Sequence, residues 1–318
     1  MDVLSDAIAA MRTGRPHSSC RRLSAPWRLH ASPFAGAGFH VVLQGAARLT
    51  ADGADPVVLG LGDVVFLPHG TSHELSSAAA GEKPATPVEL RLDHAGEPGE
   101  ERAADDGTST ALLCGAYLLD QARPHPLLAE LPAVIHLPAR LGSHPSLRAA
   151  IDLLGTEIAK PGLGGDIVVP ALLDTLLLYI LRAWYSEQSE RSETTGWAAA
   201  LTDPAVSAAL LAIHRSPSHP WTVQTLGAIA GLSRAPFARR FTALVGQPPL
   251  TYLTWWRMTK AAEMLRRSNT SMRTIAEEVG YASEFAFARA FKREHGSAPG
   301  TYRRQQTDRA PGKAQPPP

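Results

Sequence analysis

Residues 222–241 read TVQTLGAIAGLSRAPFARRF, and residues 271–291 read SMRTIAEEVGYASEFAFARAF. In the first stretch Thr222 can cap a helix whose Val223, Leu226, Ile229 and Ala230 share a face, and Gly231 then permits a tight turn. Ser233 starts a second helix with Pro236 in its first turn, where a missing N–H costs little, and with Phe237, Phe241, Leu244 and Val245 as its buried stripe. The helical period puts Ala235, Ala238, Arg239 and Thr242 on the outward side, with Arg234 in the first turn. The pattern is a helix-turn-helix with two arginines able to reach base edges. It recurs about fifty positions on. There Ser271 opens a helix carrying Met272, Ile275, Ala276 and Val279, Gly280 turns the chain, and Ser283 caps a helix with Phe287 and Phe291 buried. Phe285, Arg289, Lys292 and Arg293 project from its other side.

Between the two units, Leu250 to Arg267 reads as one long helix carrying Leu253, Trp256, Met258, Ala261 and Leu265. Such a rod can fix two reading helices roughly 34 Å apart, the spacing of successive major grooves on one side of a duplex. Charge supports an anionic partner. The 318 residues carry 31 Lys plus Arg against 30 Asp plus Glu, a net of +1 that excludes a uniformly basic chain. From Leu201 onward, however, there are 16 basic and 7 acidic residues, a net of +9, and the rest of the chain carries −8. Isolated charges usually form a solvated face, but two tandem patterns in a basic segment outweigh that reading. Arg266, Arg267, Lys292, Arg293, Arg303 and Arg304 are assigned to phosphates, where charge matters more than position.

The first half is organised differently. From Trp27 to about Leu137, short apolar runs alternate with Gly, Pro and Asp: Phe39 to Leu43, Ala47 to Thr50, Val57 to Leu61, Val64 to Leu67, Val88 to Leu92 and Ala111 to Leu118. These read as strands of a sandwich or barrel. Gly96 to Gly107 reads as a mobile acidic loop, and His30, His69 and His94 as loop residues. From Ser146 the period becomes helical, with Leu147, Ile151, Leu154 and Ile158 on one face. Val168 to Tyr185 follows as a second helix whose surplus apolar surface a second copy of the chain could cover. Domain boundaries follow: residues 1–185 a sensor with its helical packing or dimerisation segment, 186–200 a linker, 201–307 the reader, and 308–318 a disordered tail ending in three prolines. Two cysteines, Cys20 and Cys114, are too few for a disulfide scaffold. With no signal-like N-terminus, and with Pro170 and Asp174 interrupting Ile167 to Leu181, a cytoplasmic protein with no membrane span is expected.

Val279-Gly280-Tyr281, Ser283, Phe287, Arg289, Phe291-Lys292, Gly296, Pro299 and Tyr302-Arg303 resemble the signature of AraC-type transcription regulators. Leu232-Ser233-Arg234 through Phe241, with Gly246 and Pro249, resembles their first helix-turn-helix. The resemblance implies base reading from Arg234, Ala235, Ala238 and Arg239 in the first unit and from Glu284, Phe285, Ala286 and Arg289 in the second. Upstream, Gly62-Asp63, Pro68, Gly70 and His73 form G-x5-P-x-G-x2-H, which resembles the second conserved motif of cupins. Phe39 to Gly45 is similar to the end of the first motif, without its His-x-His pair, and His40 keeps the parity of the family's inward glutamate. Leu112 to Tyr117 and Pro126 to Pro132 extend the likeness to the cupin sensor of one AraC-type branch. Met1 to Ser5, and Cys20 ahead of Pro26-Trp27, resemble its oxidant-responsive members, in which a cysteine near the N-terminus and one on a late strand are candidate sensors.

The fold expected is therefore α+β, a cupin β-barrel followed by helices and then an all-α domain with two helix-turn-helix units. Three readings of His40, His73, Cys114 and Cys20 stand side by side. They can hold a transition metal such as zinc or copper; Cys20 and Cys114 can pair as a redox switch; or all four can be satisfied core residues. The function expected is a transcription regulator, not an enzyme, that binds promoter DNA and responds to a small molecule, metal or oxidant, with RNA polymerase and a second copy as further partners. A cupin metalloenzyme, a dioxygenase or isomerase with a helical appendage, is the rival. It is weakened by the missing His-x-His and by Ser77 where asparagine is usual. A DNA-binding architectural protein with an inert barrel is the third alternative.

Overall fold

A computed structural model describes residues 2–77, 86–90, 109–119, 124–140, 142–189 and 196–309. The elements run α1 (Val3–Met11), β1 (His17–Ser24), β2 (Arg28–Ala31), β3 (Gly36–Gln44), β4 (Ala47–Ala51), β5 (Val57–Leu59), β6 (Val64–Leu67), β7 (His73–Ser77), β8 (Val88–Glu89), β9 (Ser109–Leu118), α2 (Pro126–Ala129) and β10 (Ile135–Leu137). Helices α3 (Pro145–Ala159), α4 (Gly165–Ser189), α5 (Gly196–Thr202), α6 (Pro204–Arg215), α7 (Val223–Ile229), α8 (Arg234–Val245), α9 (Pro249–Arg267), α10 (Met272–Glu278), α11 (Glu284–His295) and α12 (Pro299–Arg309) follow. The expected α+β class holds.

The chain forms two compact units, Arg12–Ser192 and Met1–Met11 with Glu193–Pro318. In the first, two five-stranded sheets are ordered β1-β9-β3-β6-β10 and β5-β4-β7-β2-β8. Strand alternation sends one set of side chains between the sheets: Leu23, Leu29, Val42, Leu49, Val65, Leu75, Leu112, Cys114 and Ala116 all belong to that core. Helices α3 and α4 pack on each other. The latter spans the helix expected over Val168 to Tyr185 with Pro170 inside it, and Asp174 is ion-paired with Arg12. By length and composition Gly165–Gln188 could cross a membrane, with a mean hydropathy of 1.7. One side of this helix is instead core, with Leu173, Leu176, Leu177, Ile180 and Leu181 buried, while Ile167 and Val168 at its start stay exposed together with Leu153 and Leu163.

Several expectations change on inspection. His30 lies on β2 opposite Glu74 rather than in a loop. His69 accepts the loop assignment, its Nε2 hydrogen-bonded to the Leu131 carbonyl at 2.9 Å. His94, the acidic loop 96–107 and residues 310–318 of the expected tail lie outside the described residues. The larger difference is at the start of the chain, which the sequence reading placed with the sensor. Helix α1 packs on α6 and α9, burying Val3, Leu4, Ala7, Ile8, Ala10 and Met11. Asp6 approaches His214 of α6 at 3.5 Å, and Arg266 Nη2 donates to the Ala10 carbonyl at 2.7 Å.

Ala7 is fully buried. An Ala7→Asp substitution would place a charge among apolar neighbours and should destabilise the C-terminal unit by about 2 kcal/mol or more. Hydrogen exchange should show the loss in α6 and α9 and leave the barrel strands protected. Equal protection in the variant would mean that α1 is not part of that unit.

Candidate nucleic-acid interface and barrel interior

The repeat of the C-terminal unit is physical as well as textual. Phe237 and Phe241 in the first unit and Phe287 and Phe291 in the second are fully buried pairs, with ring centroids 5.6 Å and 5.7 Å apart. Gly246 and Gly296 end α8 and α11 at φ of +79° and +73°, left-handed values that a side chain resists. Thr222 and Thr225 form a reciprocal capping box, and Ser271 and Ser283 accept from the backbone N–H groups of Thr274 and Ala286. Ser233 makes no side-chain cap bond, although it does occupy the N-cap position.

Two helix-turn-helix units must be held together if both are to read one duplex. Arg257, at the middle of α9, donates from Nε to the Pro217 carbonyl at 2.7 Å and from Nη2 to the His219 carbonyl at 2.9 Å. Gly280, φ +82°, turns α10 into α11 against the same loop, where an added Cβ would lie 2.8 Å from both the Ser218 carbonyl and Arg257 Nη2. The turn of the second unit thus packs on the loop that leads into the first, with the guanidinium joining them.

Arg234, Ala235, Arg239, Ser283, Glu284, Phe285, Ala286, Arg289, Lys292 and Arg293 are exposed, and Ala238 is half-buried, so every residue expected to read bases lies at the surface of this unit. Phe285 is 74% exposed, a large apolar side chain with nothing over it among the described residues. The side chains of Arg234, Arg239, Arg289 and Lys292 make no hydrogen bond or ion pair among the described residues, whereas Arg293 pairs with Glu294 at 3.2 Å. Two phosphate assignments are corrected. Arg266 donates from Nη1 to the Tyr302 hydroxyl at 2.8 Å, and Arg303 donates to the Thr270 carbonyl at 2.6 Å; both are structural. Arg267 is held by Glu263. Arg240, beside the reading face, is committed to Asp203, the cap of α6, through Nε at 2.7 Å.

In the barrel, His40 and His73 meet as expected, Nε2 to Nε2 at 2.7 Å, at 0% and 3% exposure. His73 Nδ1 lies 2.9 Å from the Thr71 carbonyl. A carbonyl only accepts, so His73 carries its proton on Nδ1 and accepts at Nε2 from the Nε2–H of His40. His40 Nδ1 is then a bare lone pair, buried and without a partner among the described residues. Burial holds His40 well below the usual imidazole range, with His73 adding to the effect, and burial likewise lowers His73.

The cysteines do not complete this pair. Cys114 sits opposite His40 and shares its inward face, but among the described residues no group of three or more His, Cys, Asp or Glu side chains is arranged to hold a metal. Cys20 stands opposite Leu113, while Ser19 stands opposite Cys114. That one-residue offset sends the two thiols to opposite faces of the sheet, because successive side chains alternate. The expected Cys20–Cys114 disulfide therefore needs β1 to shift, and Cys20 cannot join His40 and His73 around an ion. Burial pushes the Cys114 thiol up to about 12 against a lowering influence of Arg21, and raises Cys20 too, so neither is an activated thiolate. The four-donor metal site does not fit the arrangement; the two-imidazole pair is what remains.

The chain thus carries a double-sheet barrel and a tandem helix-turn-helix unit. The cupin family matches residues 2–186 and the helix-turn-helix domain family residues 226–305. A Streptomyces lividans protein described as an AraC-like transcription regulator is 33% identical over 309 residues, 96% of this chain and 99% of its own. The HTH-type transcriptional regulator MtrA of Neisseria gonorrhoeae is 30% identical over 96% of this chain and 99% of its own, and the RCS-specific HTH-type transcriptional activator RclR of Escherichia coli 31% over 86% of each. A solved DNA-binding domain of AdpA in complex with a target DNA is 33% identical, covering 35% of this chain and 99% of that one, at a TM-score of 0.33. The chain belongs to the AraC-like transcription regulators with a cupin N-terminal domain, and it is a DNA-binding protein.

Two variants probe the geometry. Gly280→Ala combines a strained φ with a backbone clash and should lower stability by about 1 to 3 kcal/mol in denaturant titration. In the barrel, an unfolded chain protonates His40 and His73 near pH 6.5 while the folded one resists, so stability is complete above about pH 6.5 and declines as pH falls below it. Replacing both histidines by leucine should flatten that decline, read as the denaturation midpoint between pH 7.5 and 5; an unchanged slope would assign the acid sensitivity elsewhere.

Proposed function

We infer that this regulator recognises its operator through the two arginine-bearing helix faces of α8 and α11, and that an effector bound in the barrel changes how well those faces engage DNA. The observation that carries the reading is the state of Arg234, Arg239 and Arg289: each is exposed on a reading helix and none is spent on the protein itself among the described residues. Long cations with no internal partner, set on a face of alanines, suit bidentate bonds to guanine, while Phe285 suits a thymine methyl. Lys292 and Arg293 serve phosphates. The barrel is read as binding and not catalytic, since its polar centre is a neutral imidazole pair with no activated nucleophile beside it.

Chain connectivity supplies a route for the signal. Met11 closes α1 in the reading unit, and Arg12, the next residue, bridges Leu119 in the sensing unit. The two units are thus consecutive in the chain at this point, and a two-state response follows if an effector binds one arrangement more tightly. A homodimer completes the reading, formed on the exposed Leu153, Leu163 and Ile167 at the turn between α3 and α4.

Arg239→Ala and Arg289→Ala should each cost about 1 to 3 kcal/mol on the correct operator and relax base preference at one position, measured by binding to a randomised oligonucleotide pool. Lys292→Ala should weaken all sequences alike and reduce the slope of log K against log salt by about 1. Unaltered preference in both arginine variants would count against direct reading by these faces. For the dimer, sedimentation should give twice the chain mass for the wild type and a monomer for Ile167→Lys.

A further inference from the structure

Arg239 and Arg240 are neighbours on α8, and among the described residues the protein engages only the second. A shift of fifty positions carries Phe237, Arg239 and Phe241 onto Phe287, Arg289 and Phe291, but Arg240 onto Ala290. Ala290 is buried and joins Phe291 and Tyr302 of α12 in one apolar cluster, so packing seats the second reading helix on that side. An arginine is too long and too strongly hydrated for that role. Arg240, 53% exposed, instead crosses to the corner between α5 and α6, where Asp203 Oδ2 accepts from its Nε at 2.7 Å and from its Nη2.

Asp203 is a fixed point. Its other oxygen, Oδ1, accepts from the backbone N–H groups of Ala205 at 3.0 Å and Val206 at 2.9 Å, and its side chain is 8% exposed. Burial pushes its carboxyl up, but the amide donors and Arg240 outweigh that and hold it below the usual carboxylate range, so it is ionised at neutral pH. An ordinary surface pair gains little because two flexible side chains must be ordered together; here the carboxylate is already ordered by the helix it caps. The tether therefore joins α6 to α8 and opposes rotation of α8 about its own axis. Side chains reach about 5–6 Å from a helix axis, so a roll of about 10° moves their tips by about 1 Å, the difference between a good hydrogen bond and none. Ser233 at the start of α8 makes no side-chain cap bond, whereas Ser283 at the start of α11 does.

We propose that Asp203 is a positioning residue for base reading: by holding Arg240 it sets the roll of α8, and so decides which side chains of that helix meet the bases. The assignment rests on the reading of α8 and α11 as base-reading helices and adds a residue that acts on recognition through another.

The test is the base preference of the full chain on a randomised oligonucleotide pool, with the positions served by α8 and α11 taken as those that Arg239→Ala and Arg289→Ala relax. Asp203→Asn keeps a side-chain oxygen for the α6 cap and removes the charge that holds Arg240. It should reduce discrimination at the α8 positions by about threefold or more and leave the α11 positions as in the wild type. Arg240→Gln should do the same and leave the slope of log K against log salt unchanged, and the double variant should lose no more than either single one. Unchanged preference in either single variant, a loss spread evenly over both sets of positions, losses that add in the double variant, or a slope lowered by about 0.9 in Arg240→Gln, the mark of a direct phosphate contact, would each overturn the proposal. If Arg239→Ala and Arg289→Ala relax nothing, the base-reading assignment falls and the positioning role with it; if they relax their positions and Asp203→Asn does not, only the positioning role falls.

Discussion

The contact between Arg257 and the loop at Pro217 and His219 is what makes one reading unit of two helical repeats. Each repeat buries its own phenylalanines and would be content at many angles to the other, since a helix-turn-helix carries no information about its neighbour. A stiff helix alone fixes separation but leaves a rotation about its axis at either end. The guanidinium removes that freedom by gripping two carbonyls of the loop that precedes α7, and Gly280 lets the turn before α11 approach the same loop at a distance no side chain would allow. The guanidinium is drawn partly out of solvent, and burial lowers its pKa without bringing it near neutrality. A lysine at this position would supply a point charge, not a two-pronged grip.

Register plays the corresponding part in the barrel. Because Ser19, Cys114, His40 and Val65 lie in one row across β1, β9, β3 and β6, a single frame decides which polar groups share the interior. It admits His40, Cys114 and Arg21 and sends Cys20 outward. Register is hard to slip here because apolar partners such as Leu23, Leu112 and Val42 would be carried to the other face with it. The same constraint sets the energetic cost of any redox pairing of the cysteines: a disulfide would have to displace the eight paired residues of β1, not merely rotate a side chain.

Much of this was legible because it depends on local patterns. The 50-residue recurrence of phenylalanine, glycine and proline located both reading helices, and the parity of His40 and His73 located their meeting. Features that depend on which strands are neighbours were not legible. Nothing near Cys20 in the sequence says that β1 pairs with β9 in a frame opposite Ser19, so the thiols looked equivalent when they are not. Nor does anything near Arg21 in the sequence say that the register turns it to the same face as Leu23. Helix α1 is a different case: Leu4, Ala7, Ile8 and Met11 are spaced at three and four residues, an amphipathic signal that marks an apolar helix face without saying what covers it. Its partner surface lies some two hundred residues away, on α6 and α9, and no local pattern names that.

Composition also misstates the electrostatics of the reading unit. An excess of nine positive charges after Leu201 suggests a broad phosphate grip, yet several of those cations already have acceptors within the protein. Arg257, Arg266 and Arg303 hold backbone carbonyls, Arg240 holds Asp203, and Arg267 and Arg273 hold Glu263 and Glu277. An arginine bonded to a backbone carbonyl turns to a phosphate only by giving up that bond, which is worth about 1 kcal/mol. Surface pairs such as Arg273 with Glu277 exchange partners readily; the carbonyl-bound arginines do not. The cations open to a phosphate without breaking a bond within the protein are therefore fewer than the charge count.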